Sequence, residues 1–303
     1  MVKLGFYLLG QKGYIALSSF LGAFIANKGH VKFVCVARDA AITKDYYDEI
    51  IELCYVNNIP YFERTSLPEN VQNMTDYSFA IGWRWIIFPS DNLIVLHDSL
   101  LPKYRGFSPL VNMLINGESK IGVTALFASD EYDKGDVIEQ ESLNIEYPIK
   151  IATVIDKISV LYGNLIIKIC DLMFTNNPLP RTIQIESDAT YSMWRDESDY
   201  AIDWSNSAVY IERFINSVST PFAGAYSFIK NNKVRIIDVE IIPDVTIENR
   251  SEHVGKIIFK KNGKPVIVCG SGLLLINSAL LDGYNLTAFN FRSRFTKNIR
   301  DTQ

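Results

Sequence analysis

The stretch Lys3-Leu-Gly-Phe-Tyr-Leu-Leu9, with Gly10-Gln-Lys-Gly13 directly behind it, decides the fold of this chain. A short, almost wholly apolar run that ends at a glycine-rich tetrapeptide predicts a buried strand entering a tight turn. Residues 14–27 then show the apolar period of a helix, which Gly29 ends. A buried strand followed by a helix indicates the start of a crossover unit.

Outward from this stretch, strands and helices continue to alternate. Strands are predicted at residues 31–37, 61–64, 79–87 and 93–96, and a second helix at residues 45–56. Beyond residue 120, predicted strands at 123–128 and 137–143 flank a polar loop. A long helix follows at about 154–172, with apolar residues on one face. We therefore predict an α/β fold with an N-terminal, Rossmann-like, mainly parallel sheet and flanking helices.

The pattern changes in the C-terminal third of the chain. Short apolar runs separated by turns occur at residues 234–242, 255–260, 265–269 and 272–277. They predict a small antiparallel β domain, which is barrel-like if its edges close. We place the domain boundary between residues 200 and 201, giving an α/β domain at 1–200 and a β domain at 201–303.

Composition narrows the classes of function. The chain has 303 residues, 30 basic and 34 acidic, and a net charge of -4. A protein that binds a polyanion usually carries a basic excess, so we expect no nucleic-acid partner. No apolar run is long enough to span a membrane. The four cysteines have no paired spacing, which indicates reduced core thiols in the cytoplasm and no metal site.

The loop after residue 96 carries the first candidate for chemistry. It begins with His97 and continues through Pro102 to Gly106. A second candidate, Asp133, lies in the turn-rich segment 132–136. A histidine oriented by a carboxylate is a general-base arrangement. From position alone, a structural histidine and an ordinary Asp-Gly turn remain open alternatives.

At these residues the sequence resembles the N10-formyltetrahydrofolate-dependent formyltransferases. The segment Ser99-Leu-Leu-Pro-Lys-Tyr-Arg-Gly106 matches the hallmark segment of that family, with His97 at the family's catalytic histidine. Downstream, Gly122-Val-Thr124 and Asp133-Lys-Gly135 match its strand and its catalytic aspartate loop. Segments 201–204, 220–225 and 255–258 resemble the C-terminal half of two-domain members.

The resemblance implies that the donor substrate is N10-formyltetrahydrofolate and that no metal is needed. It also implies that His97 relays the proton of the amine and that Asp133 holds the imidazole. The implied folate-binding residues are Trp83, Arg84, Trp85, Ile86, Ser99, Leu100, Leu101, Pro102, Gly106 and Asp130. Trp83 and Trp85 lie where the family binds the pterin, and a purely structural role in the core is the alternative for these two.

For the acceptor we favour a nucleotide-linked amino-deoxysugar, linked to dTDP or UDP, used for surface polysaccharide such as lipopolysaccharide. The segment 10–13 and the aromatic N-terminal half resemble the sugar N-formyltransferase subgroup. Methionyl-tRNA and a purine precursor are the alternative acceptors, and a homodimer is an open alternative to a monomer. A nucleotide diphosphate needs local cations and an aromatic face. Our candidates for contacts with substrate are Lys12, Arg38, Lys103, Arg105, Trp194, Phe222 and Tyr226, and for each of them an ordinary surface or core role is the alternative.

One position departs from the family. Its members carry an asparagine two residues before the histidine, and Val95 stands there. Valine cannot donate a hydrogen bond to a developing oxyanion, and losing one such donor can cost about 2.7–4 kcal/mol of transition-state stabilisation. Asn92 lies about 10 Å further back along a strand, too far to replace it. Either another donor has taken over, which we favour, or the chain is a non-catalytic binding protein.

Overall fold

The computed structural model describes residues 2–87, 92–286, 289–290 and 292–298. The chain forms two compact units. The first unit holds the residues up to Leu110 together with Ser119–Ile145 and Thr153–Trp194. The second unit holds Val111–Glu118, Glu146–Ala152 and the residues from Arg195 onwards.

The first unit contains a seven-stranded sheet and a separate two-stranded ladder. The strand order in the sheet is β3-β2-β1-β4-β5-β7-β8, and β6 pairs with β9. The strand bounds are β1 (Leu4–Leu8), β2 (Val31–Val36), β3 (Tyr61–Glu63), β4 (Tyr77–Ile81), β5 (Leu93–His97), β6 (Arg105–Gly106), β7 (Lys120–Phe127), β8 (Val137–Asn144) and β9 (Tyr191–Ser192).

The first five strands in this order, from β3 to β5, are parallel; β7 runs antiparallel to β5, and β8 runs antiparallel to β7. Strands β2, β1, β4 and β5 pair in parallel, so their carboxyl ends lie at one edge of the sheet. Strand β7 runs antiparallel to β5 and opposes Thr124 to His97. In open parallel sheets this carboxyl edge is where ligands bind. The predicted α/β, Rossmann-like fold of the N-terminal part is confirmed.

The helices partly depart from the sequence pattern. The first helix begins at Gly10 rather than at Tyr14, so the glycine-rich tetrapeptide is helical and not a turn; packing overrides local propensity here. The helix at 109–116 and the helix at 208–217 were not predicted. The bounds are α1 (Gly10–Ala23), α2 (Tyr47–Asn57), α3 (Pro109–Asn116), α4 (Ile151–Phe174) and α5 (Ala208–Ser217), with 3₁₀ turns at Ile25–His30, Arg64–Ser66, Val71–Met74, Glu186–Asp188, Glu197–Tyr200 and Arg250–Glu252.

Strand β4 is shorter than the sequence predicted. It ends at Ile81, and the predicted strand extended to residue 87. The next residue, Gly82, has φ of 63°, a left-handed conformation that turns the chain away from the sheet. Residues 83–87 therefore form a loop at the carboxyl edge, in which Trp85 and Ile86 are exposed.

The second unit is built on an antiparallel sheet. The strand order is β12-β13-β14-β11-β10-β16, with β15 paired to β14, and these strands form a half-barrel. Helix α5 packs against β11. The predicted antiparallel β domain is confirmed. The bounds are β10 (Tyr226–Ile229), β11 (Asn232–Ile242), β12 (Ile257–Lys261), β13 (Lys264–Val268), β14 (Leu273–Leu281), β15 (Tyr284–Asn285) and β16 (Phe295–Thr296).

The four cysteines are free and buried. Burial disfavours the thiolate and raises the pKa of Cys54 to about 12.

No helix among the described residues is long and apolar enough to cross a membrane. Across the same residues, no group of three or more His, Cys, Asp or Glu side chains is placed to hold a metal ion.

Two helical glycines allow a matched test of packing. A β-carbon at Gly163, in α4, would lie 2.3 Å from Oγ and 3.0 Å from Cβ of Ser19, whereas one at Gly22 meets nothing within 4 Å. We expect Gly163→Ala to lower the free energy of unfolding by about 1–3 kcal/mol through overpacking. We expect Gly22→Ala to raise it by about 0.4–1 kcal/mol. Urea denaturation of both variants checks this, and equal effects would contradict the close approach of α1 and α4.

Candidate active site

His97 is the last residue of β5 and is 8% exposed. Its Nε2 lies 2.8 Å from the backbone carbonyl oxygen of Tyr104. Because a carbonyl oxygen only accepts, Nε2 carries the proton and donates it. The lone pair of the neutral ring is then on Nδ1, which lies 3.5 Å from Oδ1 of Asp133. A proton taken up at Nδ1 is stabilised by this neighbouring carboxylate.

Asp133 lies in the loop between β7 and β8. Its φ is 57° and its side chain is 15% exposed. Oδ2 accepts a 2.8 Å hydrogen bond from the backbone N–H of Gly106, while Oδ1 faces His97. One carboxylate therefore joins the loop after β5 to the loop before β8. His97 and Asp133, which the sequence could not show to be in contact, are thus neighbours in the structure.

The hallmark loop is held by hydrogen bonds within itself and to the neighbouring strands. The fully buried Ser99 donates from Oγ to the carbonyl of Lys103 at 2.6 Å. Thr124 donates to the carbonyl of Ser99 at 2.6 Å, and Gln140 donates to the carbonyl of Leu101 at 2.9 Å. Ser99 and Leu101, predicted at the folate site, thus have these groups engaged inside the protein, and their contact with folate stays a prediction.

The loop after β4 presents an aromatic surface. Trp83 packs against the buried core and edge-on against Trp85, with ring centroids 5.0 Å apart. Trp85 is 37% exposed and Ile86 is 62% exposed. Arg84 forms an ion pair of 2.5 Å with the buried carboxylate of Asp39, from the loop after β2. Exposed aromatic and aliphatic side chains at this edge fit a planar, apolar ligand.

Lys12 is already paired within the first unit. Its ammonium contacts Oδ2 of Asp98, and Oδ1 of Asp98 accepts a 2.6 Å hydrogen bond from the hydroxyl of Tyr162. Burial, together with the Asp98 carboxylate, raises the pKa of Tyr162 well above its ordinary value, so it remains a donor. This network ties α1 and α4 to the residue that follows His97.

The placement of Arg105 corrects our expectation of a substrate contact. Its side chain is 1% exposed, although the sequence suggested a cation free to meet an anion. Its donors contact Gln184, Glu186 and the hydroxyl of Tyr191. The hydrogen bond from Arg105 lowers the pKa of Glu186 below its usual range. We therefore expect Arg105 to stabilise the loop after β5 through its contacts with Gln184, Glu186 and Tyr191.

Arg38 lies at the carboxyl end of β2. It pairs with Asp48 at 2.7 Å, and its guanidinium lies 3.8 Å from the ring centroid of Tyr47. It lines a cavity of about 350 Å³ together with Arg64 and Trp85. Its predicted contact with a nucleotide stays a prediction.

The other nominated residues differ in exposure. Tyr226 is buried, and the ammonium of Lys233 lies 4.0 Å from its ring centroid, so one face of the ring is already covered. Trp194 is 57% exposed. Their roles stay predictions, as do those of exposed Lys103 and Asp130 and of half-buried Leu100, Pro102, Gly106 and Phe222.

Val95 lies on the same face of β5 as His97, two residues earlier. It is half-buried and packs against a cluster that includes Tyr7, Cys35, Ala80 and Leu93. Asn92 lies at the opposite end of β5, before its first residue. The asparagine of the family hallmark is thus replaced by an apolar contact.

Family comparisons agree with this geometry. The sequence model of the formyl transferase family matches residues 73–168, and the model of the formyl transferase C-terminal domain matches residues 195–292. The methionyl-tRNA formyltransferase of Thermodesulfovibrio yellowstonii is 35% identical over 173 residues, which are 55% of this chain and 54% of that protein. This chain thus spans about half the length of that relative.

Solved structures share the fold across both units. A sugar 3N-formyltransferase, determined in the presence of dTDP and 5-N-formyl-THF, has a TM-score of 0.67 at 16% identity, over 94% of this chain and 99% of that chain. The N-formyltransferase of Helicobacter canadensis, in complex with folinic acid and dTDP-3-aminofucose, has a TM-score of 0.66 at 17% identity, over 91% and 99%.

A longer sequence match decides the family. The methionyl-tRNA formyltransferase of Nitrosomonas europaea is 31% identical over 223 residues, which are 73% of this chain and 68% of that protein. Together with the two matched domains, this match extends the homology well beyond the hallmark loop. The protein belongs to the formyltransferase family.

Proposed function

We propose that this protein transfers the formyl group of N10-formyltetrahydrofolate to the amino group of a nucleotide-linked amino-deoxysugar. The observation that carries the proposal is the pairing of His97 with Asp133 at the carboxyl edge of the parallel sheet, 3.5 Å apart. A buried imidazole with a carboxylate beside it suits a reaction in which a proton must leave an attacking amine.

The chemistry assigns a role to each of these two residues. The amine attacks the formyl carbon, and a tetrahedral intermediate forms. His97 takes the proton of the amine at Nδ1, and Asp133 stabilises the imidazolium. The bond from the formyl carbon to N10 then breaks, and the imidazolium returns the proton to N10. The products are the N-formylated sugar and tetrahydrofolate.

The loop after β4 supports binding of the donor substrate. Trp83, Trp85 and Ile86 place aromatic and aliphatic surface at the carboxyl edge, beside the hallmark loop in the parallel order of the strands. A pterin and its benzoyl group present flat ring faces, and an aromatic and aliphatic surface can pack against such faces.

The choice of a sugar acceptor rests on fold and charge. The two sugar N-formyltransferase structures align over 99% of their own lengths, and this chain has a net charge of -4. An acidic chain is poorly suited to a tRNA stem. The curated relatives are named methionyl-tRNA formyltransferases, which makes that acceptor the second candidate. On the first proposal, the protein acts in the cytoplasm in the assembly of surface polysaccharide.

An acceptor panel tests the proposal. We expect formylation of a dTDP- or UDP-linked amino-deoxysugar, with N10-formyltetrahydrofolate as donor, and no formylation of initiator methionyl-tRNA. Transfer is followed by mass spectrometry of the product. Binding of each acceptor is measured by calorimetry at two salt concentrations. Tight, salt-sensitive binding of tRNA together with its formylation would select the second candidate; no transfer to any acceptor would point to a non-catalytic protein.

The catalytic pair is tested by amide substitutions. We expect His97→Asn and Asp133→Asn each to fold normally and to lower kcat by about two orders of magnitude or more, the scale of a positioned base. Matched controls are His253→Asn and Asp171→Asn, which lie outside the candidate site and should retain activity. Near-normal turnover in a folded variant of either candidate residue would overturn the assigned mechanism.

Val95 provides a test of where the oxyanion donor lies. If another group already donates a hydrogen bond to the oxyanion, Val95→Asn adds a side-chain amide that has no hydrogen-bond partners. We then expect the free energy of unfolding to fall by about 1–3 kcal/mol and kcat to stay level or decrease. The same change at exposed Val160 should alter stability by less than about 0.5 kcal/mol. Denaturation and steady-state kinetics decide. A rise in kcat of about tenfold in Val95→Asn would show that the donor is missing.

A further inference from the structure

The side-chain amide of Gln184 spans two loops of the candidate site. Its Nε2 lies 2.7 Å from the carbonyl oxygen of Asp133 and 2.8 Å from that of Gly135, so one NH₂ group donates to both. Its Oε1 accepts from Nε and Nη2 of Arg105 at 3.2 and 3.0 Å. Every atom of this amide that can form a hydrogen bond is therefore engaged, and both of its ends lie on the loops of the catalytic pair.

Arg105 fixes the other end of this linkage. It is almost fully buried, and besides Gln184 it donates to Glu186 at 2.7 Å and to the hydroxyl of Tyr191 at 3.2 Å. A buried guanidinium is tolerated only where its donors are matched, which restricts it to one orientation. The residue next to it, Gly106, donates to the Asp133 carboxylate. The two loops are thus joined twice, once directly and once through Gln184.

These contacts hold Asp133 in a less common backbone conformation. Its φ of 57° is in the left-handed region, which non-glycine residues adopt rarely, although Asp tolerates it better than most. The carboxylate is held by Gly106, and the carbonyl is held by Gln184. If the carbonyl were released, the peptide could relax toward an ordinary conformation. The carboxylate would then move away from His97.

We propose that Gln184 is a positioning residue for Asp133, acting with Arg105. Gln184 does not itself reach the candidate catalytic histidine in this arrangement; it acts by fixing the peptide that carries the carboxylate. This inference rests on the proposed formyl transfer, because its effect is measured on that reaction. A small displacement of a positioned group is enough to lower turnover substantially.

Two substitutions separate positioning from general support of the loop. Gln184→Ala removes all four contacts. Gln184→Glu keeps an oxygen for Arg105 but loses both donors to the carbonyls. We expect each to lower kcat by about tenfold or more, while KM for donor and acceptor changes by less than about twofold. Asn164→Ala, which removes an amide bonded to Glu141 outside the site, is the matched control and should leave kcat and KM unchanged.

A double-mutant cycle with Asp133→Asn gives the decisive readout. If Gln184 acts through Asp133, Gln184→Glu should add little to the loss already caused by Asp133→Asn, so the two effects are not additive. Additive losses, or near-normal kcat in Gln184→Glu, would overturn the proposal. Because wild-type turnover is measured alongside, an inactive wild type rejects the proposed function, whereas an active wild type with additive variants rejects only the positioning role.

Discussion

The 2.8 Å hydrogen bond from the Gly106 N–H to Asp133 is the contact on which the candidate site depends. It connects the loop after β5 with the loop between β7 and β8. The sheet alone does not bring these loops together, because β5 and β7 run in opposite directions. With the bond in place, the second oxygen of the carboxylate faces His97. The end of β5 therefore supplies the histidine, and the hallmark loop that follows supplies the N–H that orients its partner Asp133.

Much of the architecture could be predicted because it depends on local patterns. The run Leu4–Leu8 is apolar throughout, and Val31–Val36 is apolar except for Lys32, as is typical of strands covered on both faces. The position of His97 at a strand end followed from the same pattern. The start of α1 at Gly10 did not, because local glycine content suggested a turn and the chain packs there as a helix. Local propensity is a weak guide wherever tertiary packing decides.

The supporting contacts of the site could not be predicted. Gln184 meets a residue 51 positions earlier, and Tyr162 meets one 64 positions earlier. No local spacing encodes such pairs. The burial of Arg105 could not be predicted either, because a sequence does not distinguish a solvated arginine from a buried one. Its burial has a physical implication, since a buried charge contributes little to stability and is kept mainly where it fixes an arrangement.

The register of the sheet also limits where an oxyanion donor can lie. The cross-strand neighbours of Val95 are Ala80 on β4 and Leu126 on β7, and the residue beyond Ala80 is Tyr7, whose ring packs against Trp83 and Phe33. Valine, alanine and leucine have no side-chain donor. On the proposed function, a group that stabilises the developing oxyanion therefore comes either from the hydroxyl of Tyr7 or from the loops beyond the carboxyl ends of the strands. Those loops are held by Asp98, Gly106 and Gln184, so the precision that an oxyanion donor on them needs would depend on the same contacts that orient His97.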